Sequence, residues 1–146
     1  MSELDEKIKN YQEAFRKKVP QDTQNIMLKA TQQLQGTQIS KNALKVGDSI
    51  NMFSLPNAIE DTISIQNELE KNDFIVLNFY RGGWCPYCNL ELKALQSILG
   101  DLKLLNASLI AISPQTPDAT LSTQEKNELS FEVLSDEKNI IAKEFG

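Results

Sequence analysis

Phe74-Ile75-Val76-Leu77-Asn78-Phe79-Tyr80-Arg81-Gly82-Gly83-Trp84-Cys85-Pro86-Tyr87-Cys88 reads as a strand that ends, turns and becomes the start of a helix. Its first seven residues form a nearly continuous apolar run, the pattern of a central strand covered on both faces. Gly82 and Gly83 permit a tight turn that residues with a Cβ resist. Pro86 suits the first turn of a helix, where its missing N–H leaves nothing unsatisfied. Cys85 is thereby expected at or just before a helix N-terminus, among unpaired N–H groups and the positive end of the dipole. Such surroundings, and the Cys-x-x-Cys motif itself, lower a thiol pKa from about 8.5 to between about 3.5 and 7.5, which makes a thiolate nucleophile available near neutral pH.

Cys88 follows one helical turn later. Cys85, Cys88, Leu92, Leu95 and Leu99 recur at steps of three, four, three and four, so they share one helix face directed at the core. The two sulfurs are predicted within bridging reach, able to form a small reversible disulfide. Arg81 is placed to supply positive charge or to orient an oxyanion. Trp84 and Tyr87 would flank the thiols with apolar surface for a peptide or an organic peroxide, or serve simply as packing. Glu91 is a candidate proton acceptor through water, with a solvated helix-face residue as the plainer reading.

Short strand-like runs alternate with helical ones through the rest of the chain. Strands are predicted over 50–55, 62–65, 74–80, 107–113 and 131–134. Helices are predicted over 86–99 (ending near Gly100), from an Asp118 cap to Leu129, and over 139–145, with a short helical turn near Leu69. The alternation implies an α/β fold with a mostly parallel central sheet flanked by helices. At the other end, Leu4, Ile8, Tyr11 and Phe15 stripe a helix over 3–18 that Val19-Pro20 closes. A second helix, capped by Asp22 or Thr23 and striped by Ile26, Met27, Ala30 and Leu34, stops at Gly36. Residues 1–36 are thus expected to form a helical extension, as a dimerisation or docking arm or as a pair packed on the main domain.

The chain has 146 residues, a net charge of −5, two cysteines and no histidine. Histidine-activated nucleophiles and most transition-metal sites are thereby excluded, and a closed tetrahedral zinc site cannot be built within one chain. The negative charge argues against a nucleic-acid partner. MSELDEKIKN lacks a secretory signal's basic start and apolar core, and no run approaches the roughly 18 apolar residues of a spanning helix. The expectation is a soluble cytoplasmic protein without metal or cofactor.

The assembled residues resemble the peroxiredoxin-like branch of the alkyl hydroperoxide reductase/thiol-specific antioxidant (AhpC/TSA) family, within the thioredoxin-like superfamily. The resemblance covers about residues 44–146. It rests on Val46-Gly47-Asp48 leading into Phe53-Ser54-Leu55, on Phe79 to Cys88, on Ile112-Ser113-Pro114-Gln115-Thr116-Pro117, and on Val133-Leu134-Ser135-Asp136 with Ala142-Lys143-Glu144-Phe145-Gly146. It implies a thioredoxin-like fold and an antioxidant oxidoreductase that reduces hydroperoxides or protein disulfides through a Cys85–Cys88 dithiol/disulfide cycle. It also implies a thioredoxin- or glutaredoxin-type reductant, and leaves a homodimer open. A redox-sensing or partner-binding module without turnover is the alternative. Peroxiredoxins typically carry a threonine three residues before the peroxidatic cysteine. Aligning on the strand end puts Cys85 at that threonine and Cys88 at the peroxidatic position, whereas thioredoxin-style logic makes Cys85 the exposed attacker and Cys88 the resolver. Cys85 is favoured as first nucleophile. By the same resemblance, residues 44–146 are expected to stop before the C-terminal strand hairpin of related folds, leaving the thioredoxin-like domain incomplete.

Overall fold

Three parallel strands form the main sheet, over runs that the sequence marks as strands. The computed structural model describes residues 2–146, which divide into two compact units, residues up to 48 with 145–146, and residues 49–144. In the second unit, β1 (Ser54–Pro56) and β2 (Thr62–Ser64) form a small antiparallel hairpin, followed by α3 (Ile65–Lys71). Then come β3 (Phe74–Phe79), α4 (Pro86–Ser97), α5 (Leu99–Leu104), β4 (Ala107–Ser113), α6 (Pro117–Lys126), β5 (Glu132–Ser135) and α7 (Ile140–Phe145). The first unit holds α1 (Glu3–Lys18), α2 (Gln21–Gly36) and a single 3-10 turn, Ile39–Lys41.

β3, β4 and β5 pair in that order, all parallel, with Phe74 opposite Ala107 and Ile110 opposite Glu132. Parallel neighbours need crossovers, here α4–α5 and then α6. Both crossovers step the same way across the sheet, and crossovers of one hand place their helices on one face. A hydrogen bond of 3.0 Å from Asn127 Nδ2, just after α6, to Asn89 Oδ1 on α4 shows that neighbourhood directly. Alternate side chains of β4 split between the sheet's faces. Leu109 and Ala111 join Cys85, Cys88, Leu92, Leu99, Phe131 and Val133 in one core beneath α4. Ile110 and Ile112, also buried, point the other way. Full burial of one such aliphatic side chain is worth about 1.5–3 kcal/mol, so β4 is the most strongly held strand.

Among the described residues β4 lies between β3 and β5, and β3 has one neighbour; its residues from Ile75 to Phe79 are half-buried and Phe74 is exposed, so the apolar run is less covered than its pattern implies. Other boundaries shift as well. The strand expected from residue 50 begins only at Ser54. The helix after Cys88 breaks at Ile98, and Gly100 lies inside the next helix instead of ending the first. Nothing stands within 4 Å of a Cβ built at Gly100, so its lack of a side chain serves no contact there. α6 is capped at Thr116 and starts with Pro117, one residue before Asp118, because proline occupies the first helical position without loss.

α1 begins in a capping box. Asp5 N–H donates to Ser2 Oγ at 3.2 Å, and Ser2 N–H donates back to Asp5 Oδ2 at 2.9 Å. Its acidic first turn and basic last turn complement the helix dipole. α2 starts at Gln21 after Pro20, with neither Asp22 nor Thr23 as cap, and includes Gly36. Ile26, Met27 and Leu34 of its apolar stripe are exposed. No helix among the described residues is long and apolar enough to cross a membrane.

Candidate active site

The chain leaves β3 at buried Tyr80, turns through Arg81-Gly82-Gly83-Trp84 and enters α4 at Pro86 with Cys85 as the N-cap. The turn closes when Cys85 N–H donates to Gly82 O at 3.0 Å. Gly82 sits at φ +146, a conformation that favours glycine; the nearest group to a Cβ there is the exposed Trp84 side chain, which can give way. Cys85 caps the helix through its sulfur. The N–H of Cys88, at the third helical position, donates to Cys85 Sγ at 3.3 Å, the bond that serine or aspartate makes at an ordinary N-cap. Two more donors converge on the same sulfur, Arg81 Nη2 at 3.1 Å and the Cys88 thiol at 2.7 Å. Both cysteines are unbonded.

This asymmetry separates the two thiols electrostatically. Burial pushes the Cys85 thiol up, but the hydrogen bonds from the Cys88 S–H and N–H, with the bond and charge of Arg81, outweigh it and hold Cys85 below the usual range. Burial, and next the donation of its proton to Cys85, push Cys88 up. The arrangement gathers a neighbouring thiol, a backbone amide and a guanidinium on the Cys85 sulfur, all of which favour its anion. Tyr80 is raised chiefly by burial, and its hydroxyl makes no hydrogen bond of good geometry although Ser113 and Thr123 lie within electrostatic reach.

Cys85 is not the exposed attacker that thioredoxin-style logic expects. It is 0% exposed, and Cys88 is 8% exposed. The sequence locates the sulfur at a helix end correctly, but the turn folds the exposed Arg81 back onto it. Arg81 in turn lies 5.1 Å over the ring of Trp84, which is 67% exposed, a cation–π contact. Pro86 occupies the first helical position, and Tyr87 is half-buried against the core around the thiols. Glu91 is exposed on α4.

Beside Arg81 and Trp84 opens a cleft of about 440 Å³ at the carboxyl ends of the parallel strands, where open α/β sheets collect ligands. Phe79, Tyr80, Ile112 and Pro114 give it apolar walls, and Asp136 and Asn139 add polar groups. The Asp136 carboxylate is already engaged, accepting from the N–H groups of Ile140 and Ala142 at 2.8 and 2.9 Å.

The residues that secure the turn went unread in the sequence. Gly83 N–H donates to Gln115 Oε1 at 2.9 Å, and Gly83 O accepts from Asn89 Nδ2 at 2.9 Å and from Lys126 Nζ at 3.4 Å. Gln115 Oε1 also accepts from Thr123 Oγ1 at 3.1 Å. The signal available was slight: Gln115 lies between two prolines, and Asn89 adjoins Cys88.

A strand, a turn with Cys-x-x-Cys and a helix at the carboxyl edge of a parallel sheet define the thioredoxin-like class of folds. Residues 46–146 match the AhpC/TSA family, and the chain belongs to that family. A putative peroxiredoxin bcp of Buchnera aphidicola subsp. Schizaphis graminum is 33% identical over 103 residues, 70% of this chain and 64% of that one. Peroxiredoxin Bcp of Escherichia coli strain K12 is 28% identical over 105 residues, 72% of this chain and 66% of that one. The chain thus spans just under two thirds of the length of these relatives. The crystal structure of peroxidoxin BcpB from Mycobacterium tuberculosis superposes with a TM-score of 0.66 at 24% identity, covering 70% of this chain and 66% of that one, and it shares the fold.

Proposed function

We propose that this chain is a thiol-dependent peroxidase in which Cys85 is the first nucleophile and Cys88 the resolving thiol. The observation that carries the reading is the convergence of Arg81, the Cys88 amide and the Cys88 thiol on Cys85 Sγ. Three donors on one sulfur favour its anion, and the anion is what attacks a peroxide. The names of the family and of its relatives support the same chemistry.

In the first step the Cys85 thiolate attacks the terminal oxygen of a hydroperoxide, the O–O bond breaks, and the alkoxide takes a proton and leaves as alcohol. Cys85 becomes a sulfenic acid, oxidised by two electrons. In the second step Cys88, deprotonated as it reacts, attacks the Cys85 sulfur, and the oxygen leaves as water. The product is the Cys85–Cys88 disulfide. An external dithiol, of thioredoxin or glutaredoxin type, returns two electrons and two protons and is itself oxidised to a disulfide. Arg81 holds the thiolate and then the departing oxyanion. Pro86 sets the helix start, and Trp84, with the apolar cleft, receives an organic group on the peroxide, while Tyr87 packs behind the thiols. Cys85 is buried, so substrate entry requires the turn around it to open while Arg81 keeps its hold on the sulfur. The thioredoxin-like unit over 44–146 carries this chemistry, with residues 1–36 as an extension.

Consumption of cumene hydroperoxide and of hydrogen peroxide with dithiothreitol as reductant tests the proposal. Turnover by the wild-type chain and its loss in Cys85→Ser are expected. Equal rates for wild type and Cys85→Ser would overturn it.

A further inference from the structure

Arg81 and Cys85 belong to the same turn, so the distance between guanidinium and sulfur depends on the peptide between them. That peptide is Gly83, and it is fixed from outside the turn. Its N–H is held by Gln115, in the loop after β4, and its carbonyl by Asn89 on α4 and Lys126 on α6. Gln115 is itself anchored. Its Nε2 donates to Ala119 O at 3.3 Å, its backbone N–H donates to Ser113 Oγ at 3.3 Å, and Thr123 Oγ1 donates to its Oε1 at 3.1 Å. The side chain therefore bridges the first turn of α6 to an otherwise free amide two residues from both Arg81 and Cys85.

We propose that Gln115 is a positioning residue for the thiol pair, holding the Gly83 amide so that the Arg81 guanidinium stays within hydrogen-bond reach of Cys85 Sγ. Gln115 does not touch either sulfur and acts through the turn. Without it, Gly83 keeps only its carbonyl bonds to Asn89 and Lys126, its amide is unheld, and the Arg81 contact is made only part of the time. The charged and titratable groups around Cys85 are few, so the effect is readable. Arg81 faces it from the turn, Cys88 from α4, Tyr80 from the end of β3, Lys126 from α6 through the Gly83 carbonyl, and Asp136 from the wall of the neighbouring cleft. The inference rests on the reading of Cys85 as the thiolate.

Two measurements on the full chain test it. Site-resolved alkylation of Cys85 across pH, quantified by mass spectrometry, gives the midpoint of its ionisation. Gln115→Met keeps the side-chain volume, removes the acceptor, and is expected to move the midpoint to higher pH. In an Arg81→Met background the same change is expected to move it no further, because its effect runs through Arg81. If Arg81→Met shifts the midpoint and Gln115→Met does not, the role of Gln115 is overturned while Cys85 as thiolate stands. If neither shifts it, the reading of Arg81 and Cys85 falls as well. Amide hydrogen exchange is the second measurement and needs no variant to begin. Gly83 N–H should be protected in the wild type, exchange at least about tenfold faster in Gln115→Met, and stay protected in Gln115→Glu, which retains an acceptor oxygen. A wild-type Gly83 amide that exchanges as fast as an exposed one overturns the proposal outright.

Discussion

Replacing Gly83 by alanine probes the turn where the thiols are held. An added Cβ would fall inside hard contact with Thr123 Oγ1, and at 3.3 and 3.4 Å from Thr123 Cβ and Cγ2. Thr123 is 2% exposed and its hydroxyl is tied to Ala119 O at 2.9 Å and Gln115 Oε1 at 3.1 Å, so it cannot turn aside freely. Rotating it gives up the hydrogen bond of its single hydroxyl proton, shared between those two acceptors and worth about 1 kcal/mol net. Shifting the backbone instead costs about 1–3 kcal/mol, the usual range for overpacking. Either route destabilises Gly83→Ala by about 1–3 kcal/mol, or about 3–12 °C in Tm for a chain of this size. Thr123→Ala removes the colliding oxygen and methyl at a cost of about 1–2 kcal/mol. In that background Gly83→Ala should cost less than about 1 kcal/mol. Urea unfolding of the four proteins in the cycle measures the coupling, expected at about 1–2 kcal/mol. If the two substitutions add within about 0.5 kcal/mol, as independent sites do, the packing of Gly83 on α6 is not what holds the turn.

Further expectations concern the core, the cleft and the thiols. Leu92 is 0% exposed beneath the cysteines, so Leu92→Ala should destabilise by about 2–5 kcal/mol in denaturant unfolding. Trp84 is exposed, so Trp84→Ala should change stability by no more than about 0.5 kcal/mol. The same change should lower kcat/KM for cumene hydroperoxide about fivefold or more relative to hydrogen peroxide, since one missing apolar contact is worth about 1 kcal/mol or more. Stability of the reduced protein should also depend on pH through both thiols. Cys85, lowered in the fold, contributes stability that is complete above the ordinary thiol value of 9.0 and is lost as pH falls through the folded value. Cys88, raised, contributes stability that is complete below 9.0 and is lost as pH rises through its folded value. Unfolding free energy, referenced to Cys85→Ser/Cys88→Ser, should therefore rise with pH towards that value and fall beyond it.

Local signals in the sequence were strong enough to locate the strand, turn and helix that hold the two cysteines. Residues 107–113 are read as a strand with the bounds the structure shows, a short apolar run set between the helical stretches on either side. The stacking of Cys88 beneath Cys85 follows from helical spacing, and the place of Cys85 at the helix start follows from Pro86; that its sulfur serves as the cap acceptor does not. Non-local facts were not legible. Nothing in Phe74–Tyr80 gives its neighbours in the sheet, since strand order depends on crossovers and not on the run itself. Nor could spacing show that Arg81 folds back and buries Cys85, since the turn is set by partners 32 to 43 residues away, Gln115 and Lys126. Asn89, only six residues on, acts on the same carbonyl. A solvated polar residue and a positioning one look identical until the chain brings them together.

Intact-mass spectrometry after one equivalent of hydrogen peroxide, on wild type and Cys88→Ser side by side, puts the order of the two thiols to the question. Wild type should lose about 2 Da as the Cys85–Cys88 bridge closes, and Cys88→Ser should gain about 16 Da, mapped to Cys85 as its sulfenic acid. Oxygen appearing instead on Cys88 in Cys85→Ser, with Cys88→Ser inert, would reverse the roles of the two cysteines. Two unreacted thiols in the wild type would remove the redox reading altogether.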